Sequence, residues 1–401
     1  MKLLKNTEHV RLGSVCSKIG SGATPRGGDG VYIDAGTAII RSQNVYNGIF
    51  ETAGLAYLTE QHAEQLKGVT VESRDVLLNI TGDSVARCCQ VPDSVLPARV
   101  NQHVSIIRPN EEKLLPEFLC YYLVSPLMQK YLLSRAGSGG TRKALTKGMI
   151  KDFEVPKPSI IIQQKIVDTL SAYDNLIENN RRRIQLLEQS ARLLYKEWFV
   201  NLRFPGHEHT NIIDGVPEGW ERKPLCEIGD ITMGQSPNSI YYNVDANGLP
   251  FHQGVSNFGV RFPSHETYCT VQGRIAEPGD ILFSVRAPVG RINITPDKIV
   301  IGRGLAAIRS SCSQQNFLFY ALKSFFFKED MMGGGAIFAA ITKKDLYGVE
   351  LVQPTDKIVA MFMAHVLPID IQIANLQQTI ENLAKARDLL LPKLMNGEIA
   401  V

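Results

Sequence analysis

Apolar positions recur along this chain on two different periods. Over residues 1–157 and 203–354 they come in short runs, such as Val76-Leu-Leu78 and Ile281-Leu-Phe283, separated by Gly, Pro, Asn and Asp. Runs of that length between turn formers predict strands. Two segments, 114–135 and 314–331, instead carry Leu, Phe and Tyr at helical spacing. A long amphipathic segment follows each stretch. In the first, Ile166, Leu170, Tyr173, Ile177, Asn180, Ile184, Leu187, Ala191, Leu194 and Trp198 alternate steps of four and three. That is a heptad seam with one polar position, Asn180. In the second, Ile358, Phe362, His365 and Ile369 follow the same seam. Ile373, Leu376, Ile380, Leu383, Leu390 and Leu394 follow it at an offset larger by four, with Arg387 at one core position. A four-residue insertion is a stutter that unwinds a supercoil locally. Pro368 sits there and predicts a kink or a break. Arg387 is expected to pack its stem and send its head to water.

A helix with one apolar stripe cannot bury it alone, so the two long helices are expected to pair, antiparallel. The predicted fold is α+β: two similar globular domains in tandem, each followed by a long helix, the pair forming a coiled-coil spacer. The expected boundaries are 1–157, 158–202 for the central helix, 203–354, and 355–401 for the distal helix and tail. Residues 165–200 would extend about 54 Å at about 1.5 Å per residue.

The two globular stretches are copies. Phe118-Leu-Cys-Tyr-Tyr-Leu-Val-Ser125 returns as Phe317-Leu-Phe-Tyr-Ala-Leu-Lys-Ser324. Leu145-Thr-Lys147 returns as Ile341-Thr-Lys343, and both segments run on without a gap to Pro158 and Pro354. The unit is far longer than a solenoid repeat. Aligned by eye, Gly22-Ala-Thr-Pro25 matches Gly234-Gln-Ser-Pro237, Gln43 matches Gln253, and Asp75 matches Asp280. Arg87 matches Arg291, and Arg108 matches Arg309.

Composition adds limits. The chain has 401 residues, 44% hydrophobic and 21% charged, with a net charge of +3. No apolar run approaches the ~20 residues of a membrane span, and the N-terminus lacks the apolar core of a signal peptide. A cytoplasmic protein with no membrane partner is expected. Seven cysteines without a Cys-x-x-Cys pair point to reduced, mostly buried thiols. The small net charge implies that, if DNA is the partner, other subunits supply part of the phosphate contact.

Fingerprints for nucleotide, dinucleotide or metal-dependent catalysis are missing, as are acids paired in both halves. His207-Glu-His209 lies in a polar linker and reads as a loop. No catalytic or metal site is assigned, and the chain reads as a binder. Two similar but non-identical halves suit a target with two half-sites at a fixed separation, for which double-stranded DNA is the obvious candidate. Base edges are read by Arg, Lys, Asn, Gln, Ser and Thr, and phosphates by basic side chains. The candidates in the first half are Arg41, Ser42, Gln43, Asn44 and Arg87, with Arg135, Ser138, Thr141, Arg142, Lys143 and Lys147 of a glycine-rich loop. Those in the second half are His252, Gln253, Arg291, Thr342, Lys343 and Lys344. A coiled-coil adaptor without DNA readout stays open at this point.

Several motifs resemble the specificity subunit of type I restriction-modification enzymes. They are Gln163-Gln-Lys-Ile-Val, Ile184-Gln-Leu-Leu-Glu188 and Leu194-Tyr-Lys-Glu-Trp-Phe199 on the first helix, and Val216-Pro-Glu-Gly-Trp-Glu221 opening the second domain. The tail Leu390-Leu-Pro-Lys-Leu-Met-Asn-Gly-Glu-Ile399 and the Gly-x-Thr/Ser-Pro turns complete the match. The resemblance implies a non-catalytic subunit whose two target-recognition domains each read half of a split, asymmetric DNA sequence. It implies helices that set the spacer and dock two methyltransferase subunits, with restriction-translocase subunits joining them. S-adenosylmethionine, ATP and Mg are then expected on the partners and no cofactor on this chain. A specificity subunit serving a fused methyltransferase–nuclease is a variant of the same reading.

Overall fold

The computed structural model describes residues 7–25, 27–137, 143–326 and 340–399. Its contacts divide the chain into two compact units, Met1–Asn179 with Thr379–Val401, and Asn180–Gln378. Each unit therefore takes half of either long helix. The central helix is Ile160–Tyr195, closed by a π turn over Lys196–Val200, and the distal helix is Asp356–Met395.

In the first unit an antiparallel sheet orders Cys16–Ser21, Val104–Pro109, Val76–Asn79 and Cys88–Gln90. A second sheet orders Ala56–Leu58, Thr37–Ile40, Ala98–Val100 and Thr70–Val71, its middle pair parallel. The second unit repeats this plan. Gly229–Met233, Leu305–Ser310, Ile281–Ser284 and Ile292–Ile294 form its antiparallel sheet. Its other sheet orders Tyr242–Asn243, Tyr268–Cys269, Leu249–His252, Ile299–Ile301 and Ile275–Ala276, with Leu249–His252 parallel to Ile299–Ile301.

Two devices recur atom for atom. Asp75 is buried, takes two hydrogen bonds from Arg108 (2.7 and 2.8 Å) and one from the Glu72 N–H. Asp280 does the same with Arg309 (2.7 and 2.9 Å) and the Glu277 N–H. The acids aligned between the halves thus each hold an arginine and pin a turn ahead of a core strand. At the Gly-x-Thr/Ser-Pro turns the backbone crosses the neighbouring loop closely. A Cβ on Gly22 would lie 1.9 Å from the Val100 carbonyl oxygen, and one on Gly234 would lie 2.2 Å from that of Gly302. Only glycine permits either crossing.

The helix predicted over 114–135 is two helices, Pro116–Val124 and Pro126–Gly137. Pro126 lacks an N–H and starts the second at a position where none is needed. The segment near 314 forms Gln315–Phe326.

The long helices pair antiparallel within each unit. In the first, Ile166 and Leu170 share a core with Leu391, Leu394 and Met395. In the second, Ala191, Tyr195 and Trp198 share one with Ile358, Phe362 and Val366. Four seam details differ from expectation. The distal helix runs through Pro368 unbroken; Pro368 and Ala364, whose carbonyl loses its bond, both lie on the exposed face, where water can satisfy the oxygen. Arg387 does not merely reach water: its guanidinium pairs with Asp174 at 2.6 Å, and Tyr121 donates to the same carboxylate. Glu188 and Tyr195 are buried where Leu187 and Leu194 are half-buried, and Val366 is buried where His365 is exposed. The stripe is wider than a coiled-coil seam because the helix Gln315–Phe326 also packs against it.

The distal helix also contains an 18-residue window of mean hydropathy 1.5, so one helix is, by length and composition, apolar enough to cross a membrane, contrary to the sequence expectation. Its N-terminal half buries Ile358, Val359, Phe362 and Val366 in the second unit's core. All seven cysteines are free, with Cys88, Cys89, Cys120 and Cys269 buried.

Candidate nucleic-acid interface

In the first unit two turns, one after the strand Thr37–Ile40 of the mixed sheet and one after Val76–Asn79 of the antiparallel sheet, line an open concavity of about 430 Å³. One wall is the turn Ser42–Asn44, the other the turn through Thr81, Asp83 and Ser84 to Arg87. Asn79, at the end of its strand, donates to the Ser42 carbonyl at 2.8 Å and ties the walls together. The Arg87 guanidinium lies 4.6 Å from the centre of the Tyr46 ring, which holds it as a cation–π pair. Thr81 Oγ1 and His103 Nδ1 are 2.6 Å apart. The Gly82 N–H donates to the Lys143 carbonyl at 3.2 Å, so the far end of the glycine-rich loop abuts the same wall. Ser42, Gln43, Arg87 and Lys143, distant in sequence, are thereby brought to one place.

Other candidates in this unit have different tasks. Asn44 is fully buried, accepts from the Arg41 N–H (3.0 Å) and donates to the Glu51 carbonyl (2.9 Å), so its amide is spent on the turn. Arg41 donates to the Gly54 carbonyl at 2.6 Å and lies over Tyr32. Arg135 and Lys147 are exposed, Arg135 in the last turn of its helix and Lys147 at the first position of the next. Ser138, Thr141 and Arg142 lie outside the described residues.

Matching hydrogen bonds set the correspondence with the second unit. The Val100 and Ile301 carbonyls each accept at 3.0 Å, from Ala23 and Gln235. The next residues, Asn101 and Gly302, donate to Ile40 and His252. His252 therefore stands where Ile40 does, and Gln253 stands at Arg41, two residues from its expected match, Gln43. His252 occupies a core strand position and is buried, with Nε2 2.8 Å from His265 Nδ1; His265 Nε2 is 3.1 Å from Asp297. Burial, then the nearby His265, push His252 down to about 4, so it is neutral at pH 7. His252 is thus a core side chain rather than an exposed reader, while Gln253 is exposed.

Asn79 donates to Arg87 and Ser284 to Arg291 through backbone N–H groups, so those arginines do correspond. Both are accessible, Arg87 partly and Arg291 more so. Thr342 caps its helix, accepting from the Asp345 N–H, as Thr146 accepts from Met149. The repeated Thr-Lys is thus a helix cap first; Lys343 and Lys344 are exposed, with Lys343 over the Tyr347 ring.

Two exposed arginines absent from the sequence candidates lie at the matching edge of the second unit. Thr81 bridges Ala144, and Arg286 bridges Ala340 at the matching place. The Ile80 N–H donates to His103 and the Val285 N–H to Gly304, so Arg303 corresponds to Gln102. Six residues separate Asp75 from Thr81 and Asp280 from Arg286; counting from the aligned acids would have found Arg286. Among the described residues no group of His, Cys, Asp and Glu is arranged to hold a metal.

Residues 5–189 match the family model for the type I restriction modification DNA specificity domain. The chain is 34% identical to the MjaX specificity subunit of Methanocaldococcus jannaschii over 310 residues, 74% of this chain and 71% of the relative. It is 30% identical to the type I restriction enzyme MjaIX specificity subunit of the same organism, over 76% of this chain and 74% of that one. The crystal structure of the S subunit of a type I restriction-modification system from M. genitalium shares the fold, with a TM-score of 0.56 at 16% identity over 98% of both chains. The chain belongs to the family of type I restriction enzyme specificity subunits, the non-catalytic, DNA-specifying members of a complex with methyltransferase and restriction subunits.

Proposed function

We propose that this chain reads a split, asymmetric DNA sequence, one half with each unit, and that its paired helices fix the spacer and dock two methyltransferase subunits, with the restriction-translocase subunits joining that assembly. One observation carries this reading. The two units share sheet order, turn glycines and arginine-paired buried aspartates, yet differ at matched positions beyond the end of the sheet: Thr81 against Arg286 and Gln102 against Arg303. A common scaffold with different exposed side chains suits two different half-sites. Ser42, Gln43, Arg87 and Lys143 are the readers of the first unit, and Gln253 and Arg291 belong to the face of the second. The partners carry S-adenosylmethionine, ATP and Mg, and the complex works in the cytoplasm on double-stranded DNA.

Nuclease protection by the complex assembled with its methyltransferase subunits tests the proposal. Protection at one sequence only, lost when either half-site is altered but kept when the spacer's bases are changed, is expected. Protection that is independent of sequence would refute it and favour the adaptor.

A further inference from the structure

Resting on that reading, we infer that Arg286 and Arg303 of the second unit read guanines in one half-site, and that the first unit has no counterpart to them. Ser284 pairs with Leu305, and the Val285 N–H bonds the Gly304 carbonyl at 2.9 Å. Continuing that register sets Arg286 across from Arg303, just beyond the end of the sheet. Both side chains are exposed. Neither guanidinium has a carboxylate within ion-pair distance among the described residues. Like charges on facing strand positions repel, so the two arginines do not stabilise each other.

The first unit shows what the scaffold needs at these places. It has Thr81, bonded to His103, and Gln102, and it carries Asp83 in the following turn. The corresponding second-unit turn, Ala287-Pro-Val-Gly290, has no acid. The second unit thus has two cations where the first has Thr81 and Gln102, each bonded to His103, and its turn lacks the acid. Nearby, the Arg303 N–H donates to Ser236 Oγ at 3.1 Å, which fixes its backbone. The guanidinium fork matches O6 and N7 of guanine in the major groove. Neighbouring strands are about 4.8 Å apart, close to the ~3.4 Å step between bases on one strand, so the two arginines suit two nearby guanines.

The test maps modified adenines in cells carrying the whole chain with its methyltransferase subunits, for the wild type and for Arg286→Gln, Arg303→Gln and the charge-preserving Arg286→Lys. A split motif with guanine in one half is expected. Each Gln variant should relax one guanine in that half by about tenfold to a hundredfold in preference and leave the other half unchanged. Arg286→Lys should relax the same position, because a point charge cannot make the fork. If the motif keeps every base in all three variants while binding weakens across sequences, the arginines hold phosphates and the inference fails, with the split reading intact. A wild-type complex that assembles but marks no split motif would overturn the function on which the inference stands.

Discussion

Glu188 offers the sharpest energetic test, because it is a charge buried in what the heptad pattern reads as a helix surface. It is 6% exposed, lies 2.5 Å from Arg261 Nε and 2.9 Å from Lys323 Nζ, and Arg261 is itself only 3% exposed. Asp370 of the distal helix takes another Arg261 nitrogen at 3.0 Å, and Tyr320 donates to the same carboxylate. The cluster joins the central helix, the distal helix, the helix Gln315–Phe326 and the loop bearing Arg261, all within the second unit. Removing one member of a buried pair leaves a desolvated charge, at about 3–5 kcal/mol. Asp370 would still face Arg261 after Glu188→Ala, which puts the loss near the lower end, about 3 kcal/mol. Since 1.36 kcal/mol is tenfold, protected amides in Ile281–Ser284 should exchange roughly 150-fold faster, while Val76–Asn79 of the first unit should not change. Hydrogen exchange read by mass spectrometry resolves the two. Less than a threefold change in the second unit would refute the idea that this cluster holds it together. Burial alone would raise the Glu188 carboxyl, but Arg261 and Lys323 outweigh it and hold it below the usual range. Its contribution is therefore complete above the unfolded value, about 4.3, and disappears as pH falls through the lower folded value.

Three further outcomes are expected. His252, held near 4, stays neutral while the unfolded chain takes up a proton below about 6.5, so the second unit should lose roughly 2–3 kcal/mol between pH 6.5 and 4; His252→Ile, which copies Ile40, should flatten that slope in denaturant titrations followed by second-unit exchange. Gly22→Ala and Gly234→Ala should each cost at least about 2 kcal/mol by overpacking against backbone, whereas Gly20→Ala, with open space around its Cβ, should cost less than half as much in the same unfolding assay. Arg87→Ala should weaken DNA binding by the assembled complex and lower the magnitude of its salt slope by about one if the contact is to phosphate; an unchanged slope with a changed motif would assign it to a base.

Much of the architecture was legible because the duplication repeats its own landmarks. The apolar runs after Asp75 and Asp280 became corresponding core strands, and the helical seam from Ile166 to Trp198 packs as expected over most of its length. Glu188 was unreadable because its burial depends on Arg261, distant in sequence, and a heptad pattern counts only apolar side chains. His252 looked like a loop residue since His-Gln-Gly resembles a turn, yet it closes a strand whose first-unit copy ends in Ile40. Gln253 accordingly stands at Arg41 rather than at Gln43. Asn44 and Thr342 have the composition of base readers, but local backbone groups take up their side chains, a competition that sequence composition does not disclose.

The most direct measurement is the map of modified adenines from the assembled wild-type complex beside one from a complex whose first unit carries Gln43→Ala and Arg87→Ala. A split motif in which only one half loses definition, the other half and the spacer staying as they were, is the expected result. A contiguous motif, or two halves that change together, would contradict the assignment of one half-site to each unit.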